Sequence, residues 1–187
     1  MIKKLLGIIL FVWVTIGNAQ VRKYSEQGNG LINLEKHQVN FNLLSPGVSY
    51  EIGLFRNQTI STSLGLGLAT YEEGYAFGLA WNNRYRYYHN LKRRKELRKN
   101  VSGNSGNYIA AAQAIFFSQL RVATNIEGPN DFNVGFYGMV YGIQRTYPKG
   151  LNFTAELGAG YYRGDGVLSG YGPLFGLSLG WTPKRKK

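Results

Sequence analysis

LNFTAELGAGYY, residues 151–162, decides the fold of this chain. Leu151, Phe153, Ala155, Leu157, Ala159 and Tyr161 alternate with Asn152, Thr154, Glu156, Gly158 and Gly160, so apolar side chains recur with a period of two. Successive side chains of a strand point to opposite faces, whereas a helix repeats about every 3.6 residues. The stretch is therefore a strand with one apolar face and one small or polar face. Residues 175–181 repeat the pattern, with Phe175, Leu177, Leu179 and Trp181 set against Gly176, Ser178 and Gly180. A transmembrane barrel needs strands of about 9–11 residues with this alternation.

Composition narrows the classes. The 187 residues suit one domain, and beyond the first sixteen no apolar run approaches the roughly 20 residues of a spanning helix. A membrane protein of this composition must cross with strands. Cysteine is absent, which excludes disulfides, Cys-ligated metals, thiol catalysis and a lipid on an N-terminal Cys. Only His37 and His89 offer imidazole. No metal or cofactor is expected.

The first segment reads as a secretory signal. Lys3 and Lys4 precede an apolar run over 5–16, and Gly17 and Ala19 place small residues before a cut at Gln20. The predicted organisation is a signal peptide (1–19), a periplasmic lead-in (20–36), a barrel (37–182) and a basic tail (183–187). Loss of Lys3 and Lys4 with the leader lowers the formal charge from +12 to +10.

Eight strands are expected, over 37–44, 48–54, 63–69, 76–89, 107–117, 131–144, 151–162 and 175–181. Ser45, Pro46 and Gly47 form the first turn. Residues 90–106 read as the longest polar connection, 118–130 as a loop and 163–170 as another connection. The parity of the sixth strand changes near Gly138, which suggests a bulge. Gly65, Gly67, Gly158 and Gly160 lie within alternating strands with no helix after them, so they are small inward residues, not a phosphate cradle. Arg163-Gly164-Asp165 runs into Gly166, and Asp-Gly is a hairpin signal, so it reads as a turn and not as an adhesion tripeptide.

The fold class expected is all-β: a single antiparallel transmembrane barrel of about eight strands. A soluble barrel turns its apolar face inward and a membrane barrel turns it to lipid. Here the other face carries Gly, Ser and a few charges, which suits a narrow lumen better than a water-facing exterior. Aromatic residues toward strand ends, such as Trp81, Tyr85, Tyr87, Tyr161 and Trp181, fit interfacial girdles. The Ala19–Gln20 junction, LSPGVSYE (44–51), the Tyr-rich end of the fourth strand leading into NLKRR (90–94), and SGNY (105–108) resemble small outer-membrane β-barrel proteins of Bacteroidota. The resemblance implies location in the outer membrane of a Gram-negative cell and the barrel fold, and it carries no catalytic residues.

Glu51, Arg84, Arg86 and Glu156 are the charges placed on the inward face within strands. Paired carboxylates and guanidinium groups in a narrow barrel bridge its walls and close the lumen. The expected function is thus a non-enzymatic, structural or interaction barrel. The alternative is a narrow channel for small solutes; a soluble periplasmic lipid-binding barrel and a lipid-modifying enzyme stand further back. With an even strand number and a periplasmic N-terminus, His37 and His89 both fall at the periplasmic end, away from outer-leaflet lipid. Lys92, Arg93, Arg94, Lys95, Arg98 and Lys99, less Glu96, together with Lys184, Arg185, Lys186 and Lys187, hold nine of the ten net charges. They share that end and form a basic collar. Its expected partner is anionic inner-leaflet phospholipid or an acidic periplasmic protein, beside the outer-membrane lipid around the wall. Nucleic acid is not expected, and the barrel is expected to be a monomer.

Overall fold

A computed structural model of the protein describes residues 34–71, 74–125, 133–165 and 169–183. Residues 31–187 form one compact unit. The leader, most of the lead-in and Lys184 to Lys187 lie outside the described residues.

The unit is all-β. Among the described residues its strands are β1 (His37–Asn42), β2 (Gly47–Phe55), β3 (Gln58–Tyr71), β4 (Gly74–Tyr88), β5 (Asn107–Thr124), β6 (Asn133–Thr146), β7 (Leu151–Asp165) and β8 (Gly170–Trp181), with a short α-helix, α1 (Leu91–Glu96), and a 3-10 turn at Pro148–Gly150. Neighbours in sequence pair antiparallel, and β1 meets β8, so one sheet closes into a barrel. Closure leaves the outer wall to the apolar parity. Val39, Val48, Leu64, Leu68, Leu157, Leu177 and Trp181 are exposed, while Glu51, Ser61, Arg84 and Asn152, one residue out of phase, are buried. Among the described residues no helix is long and apolar enough to cross a membrane, which says nothing of a barrel.

The two ends differ. The end where β1 begins, called lower here, carries the β2–β3, β4–β5 and β6–β7 connections and the end of β8; the other three connections and the β1–β2 turn lie on the upper side. That turn comes early. β2 pairs with β3 only as far as Gly65, and β1 pairs with β8 only at Phe41 with Trp181 and Asn42 with Gly180. Leu66 donates its amide to the Pro46 carbonyl (2.9 Å), and Leu43 donates to the Leu179 carbonyl (2.7 Å). Above these bonds, β3 and β8 have no strand partner on the facing sides among the described residues. The wall therefore has a gap over the first hairpin.

Three sequence expectations are corrected. Residues 118–124 are not loop but the end of β5. The register skips from Leu79–Phe117 to Gly78–Arg121, and the extra residues between Phe117 and Arg121 destroy the alternation. No bulge occurs at Gly138, because β6 pairs in unbroken register with both neighbours from Asn133 onward. Phe136 and Val140 instead turn inward and are buried. Room for them comes from glycine: a Cβ at Gly160 or Gly138 would stand 2.8 or 2.7 Å from the Phe136 ring. Finally, Arg163 to Asp165 continue β7 and do not belong to the turn.

Candidate functional site

The four inward charges meet. Glu51 on β2 accepts hydrogen bonds from Thr59 Oγ1 (2.6 Å), Tyr88 OH (2.9 Å) and Gln144 Nε2 (3.3 Å), and its Oε2 lies 3.1 Å from Arg86 Nη1. Glu156 on β7 accepts from Tyr108 OH (2.7 Å) and from Arg84 Nε (3.1 Å), with Arg86 Nη2 at 3.6 Å. Arg86 thus spans two carboxylates on different walls. Its guanidinium also donates to Gln144 Oε1 (3.1 Å) and lies 4.6 Å from the centre of the Tyr108 ring. Arg84 is held further by the carbonyls of Asn83 and Gln113. Two positive and two negative charges balance, and Glu51 is only 1% exposed. Such burial requires this degree of pairing, since a lone charge there would carry a desolvation cost of several kcal/mol.

Parity placed Glu51, Arg84, Arg86 and Glu156 correctly, but the residues that finish the network were missed. Tyr88, Tyr108, Thr59 and Gln144 all have inward parity, and that was the available signal. Tyr108 reaches Glu156 because Gly142 lies beneath its ring, where a Cβ would overlap the ring carbons. Tyr88 and Tyr108 pack at 5.2 Å between centroids.

Below the network, the β4–β5 connection folds across the lower mouth. The expected polar loop contains α1, whose single buried residue, Leu91, packs with Tyr88, Tyr108 and Leu34. Gly103 O accepts from Thr146 Oγ1 (2.9 Å) and Gln144 Nε2 (3.1 Å), while Asn104 Oδ1 accepts from the Glu35 amide (2.8 Å). Gly103 and Asn104 both have positive φ, which lets the loop turn tightly under the barrel. The last residues of the lead-in, Leu34 and Glu35, therefore belong to this lid.

Of the collar, Lys92, Arg93, Lys95, Arg98 and Lys99 are exposed at the lower end. Lys92 and Glu96 form an exposed pair at 3.9 Å, and Arg94 is turned to the Asn100 carbonyl (2.8 Å). Lys184, Arg185, Lys186 and Lys187 lie outside the described residues, although Thr182, next to the last described residue, donates its amide to the Gly150 carbonyl (2.7 Å) at that same end. His37 sits at the start of β1 beside Tyr50 (2.7 Å), and His89 follows β4 against Tyr141, so both are lower-end residues. Among the described residues no group of three or more His, Asp or Glu could hold a metal ion.

Above the network the lumen opens into a cavity of about 790 Å³. Ser61, Ser63, Asn82, Thr154 and Ser178 line it next to the charges, and Ala69, Ala80, Phe116, Val134, Phe136 and Leu174 line it toward the upper end. A separate hollow of about 460 Å³ lies on the outer wall against Val48, Leu64, Trp81 and Phe117.

Fold and site together define a closed eight-stranded antiparallel barrel with a charge-neutral plug. Comparison of the chain with family models, with curated proteins and with solved structures yields no match.

Proposed function

We propose that the protein is an integral outer-membrane barrel with a structural or interaction role, closed at its lower end and not a channel. One observation carries the closure: Arg86 bridges Glu51 and Glu156 across the lumen, with the 103–105 loop hydrogen-bonded beneath it. Insertion is supported by the wall, on which exposed apolar side chains such as Val39, Leu64, Leu68, Ile109, Met139, Leu157 and Leu177 share the outward parity. Tyr85, Tyr87, Tyr141 and Trp181 lie toward the lower ends of their strands, and Tyr75, Tyr137, Tyr161 and Tyr171 toward the upper ends. Two such belts suit two membrane interfaces. The leader-like first 19 residues support export, and the lower end would then face the periplasm.

The exposed lysines and arginines of 92–99 support contact with an anionic surface there, phospholipid head groups in the first instance. Each basic side chain near such a surface contributes about 1 kcal/mol, fading with salt. The resemblance to Bacteroidota barrels supports the same location.

Planar-bilayer recording of the purified protein tests the proposal. Eight strands normally leave an interior filled by side chains, and the expected result is no stable conductance from preparations that show heat-modifiable gel mobility. A reproducible open state would replace this reading by the narrow channel. Recovery in the soluble fraction, with no mobility shift on boiling, would remove the membrane reading itself.

A further inference from the structure

The gap over the β1–β2 hairpin joins the lumen cavity to the outer wall. Leu66 and Leu68 on β3 and Phe175 and Leu177 on β8 belong to the outward parity, yet they line the same cavity as Ser63, Asn82 and Phe136. A cavity lined from both faces of the sheet is open through the wall.

The gap is built to stay open. Leu179 directs its carbonyl to β1, so alternation turns the backbone of Leu177, Phe175 and Pro173 toward the gap. Pro173 has no amide hydrogen to offer there, and its carbonyl already accepts from Tyr162 OH (2.6 Å). On the other side, Ser45 Oγ and the Pro46 carbonyl take up the backbone of Leu66. Pairing with another strand is thus blocked at Leu66 and at Pro173. At membrane depth an open edge is tolerated only where it lines a protein or water-filled cavity, and this one does.

We propose that the cavity binds one single-chain amphiphile, taken laterally through the gap. The inference rests on the membrane reading. The polar head group lies on the Ser61, Ser63 and Asn82 belt; Arg86, one inward step below it opposite Thr59, keeps a buried Nε without a hydrogen-bond partner in the structure. The hydrocarbon passes Ala80, Phe136 and Leu174 and leaves past Leu68 and Phe175. Both flanking residues are exposed, at 63% and 76%. The volume falls within the roughly 300–1,000 Å³ of small-molecule sites.

Native mass spectrometry of the whole protein, released from detergent after incubation with stearate, tests this. One stearate per chain is expected, saturably. Ala114→Phe, which fills the cavity from β5, should weaken it at least tenfold, whereas Ala111→Phe on the outward face of the same strand should not. Lengthening the hairpin with alternating Thr and Val on both sides of Ser45 and Pro46 should slow uptake from phosphatidylcholine vesicles at least tenfold. No adduct, equal loss in both alanine variants, or uptake indifferent to the longer hairpin would overturn the proposal. So would a ligand-free dimer, which would assign the open edges to strand pairing between copies. Gel mobility and fractionation on the same samples separate the two failures: an inserted barrel without adduct sinks this inference alone, and a soluble protein sinks both.

Discussion

Replacing Arg86 by Met removes the side chain that, among the described residues, touches both buried carboxylates. Glu51 keeps Thr59, Tyr88 and Gln144, and Glu156 keeps Arg84 and Tyr108, but the cluster is left with one uncompensated negative charge. Glu51 is 1% exposed and the Glu156 side chain 8%, so little water reaches either carboxylate in the intact plug. Breaking a buried pair from one side costs about 3–5 kcal/mol. Adding Glu51→Gln restores neutrality while Tyr88 and Thr59 can still donate to the amide oxygen, so the double variant should be less destabilised than the sum of the single ones, by about 2 kcal/mol. The exposed Lys92–Glu96 pair, 3.9 Å apart, supplies the control: Lys92→Met should cost no more than about 0.5 kcal/mol. Equilibrium urea unfolding in detergent or vesicles, followed by tryptophan fluorescence, measures all four variants. An Arg86→Met cost below about 1 kcal/mol, or strict additivity in the double variant, would refute the view that the plug is one coupled unit.

Gly142→Leu should push the Tyr108 ring off Glu156 and cost about 1–3 kcal/mol in the same unfolding assay, while Gly170→Ala, which has open space around it, should be neutral. Leu157→Lys on the outer wall should lower the fraction of assembled, heat-modifiable protein, with a cost of about 2–4 kcal/mol near a bilayer midplane; Ser63→Lys, which enters the cavity, should cost less. Leu91→Ala should loosen α1 from Tyr88 and Tyr108 at about 2–5 kcal/mol, and limited trypsin digestion should then cut within 92–99 sooner than in the unaltered protein.

Alternation made 151–161 of β7 and 175–181 of β8 legible, because the inward face there is mostly small, with Thr154, Gly158, Gly160, Gly176, Ser178 and Gly180. It failed where inward residues are large. Phe136 and Val140 broke the apparent parity of β6, and only the glycines beside them, Gly158 across from Val140 and Gly138 and Gly160 against the Phe136 ring, explain why they fit. It failed again at Ser118 to Thr124, where extra residues in the register hide a strand from any fixed period. The four charges were legible as inward residues. That they pair across the lumen was expected; which guanidinium meets which carboxylate was not, since Glu51 and Glu156 are more than a hundred residues apart and only barrel closure sets them around Arg86. The lid was hidden for a different reason: Leu91 is a single apolar residue in a basic run, and a single residue shows no period. The short first hairpin was visible in the early Pro46, but a gap exists only once β3 and β8 are brought to either side of it.

The most direct test uses Trp81 and Trp181, the two tryptophans of residues 20–187, both outward and exposed. The chain beginning at Gln20 is folded into phosphatidylcholine vesicles, and its emission is measured with brominated phosphatidylcholine and, separately, with aqueous acrylamide. A lipid-facing wall predicts strong quenching by the brominated lipid and little by acrylamide. Efficient quenching by acrylamide with none from the brominated lipid would contradict it.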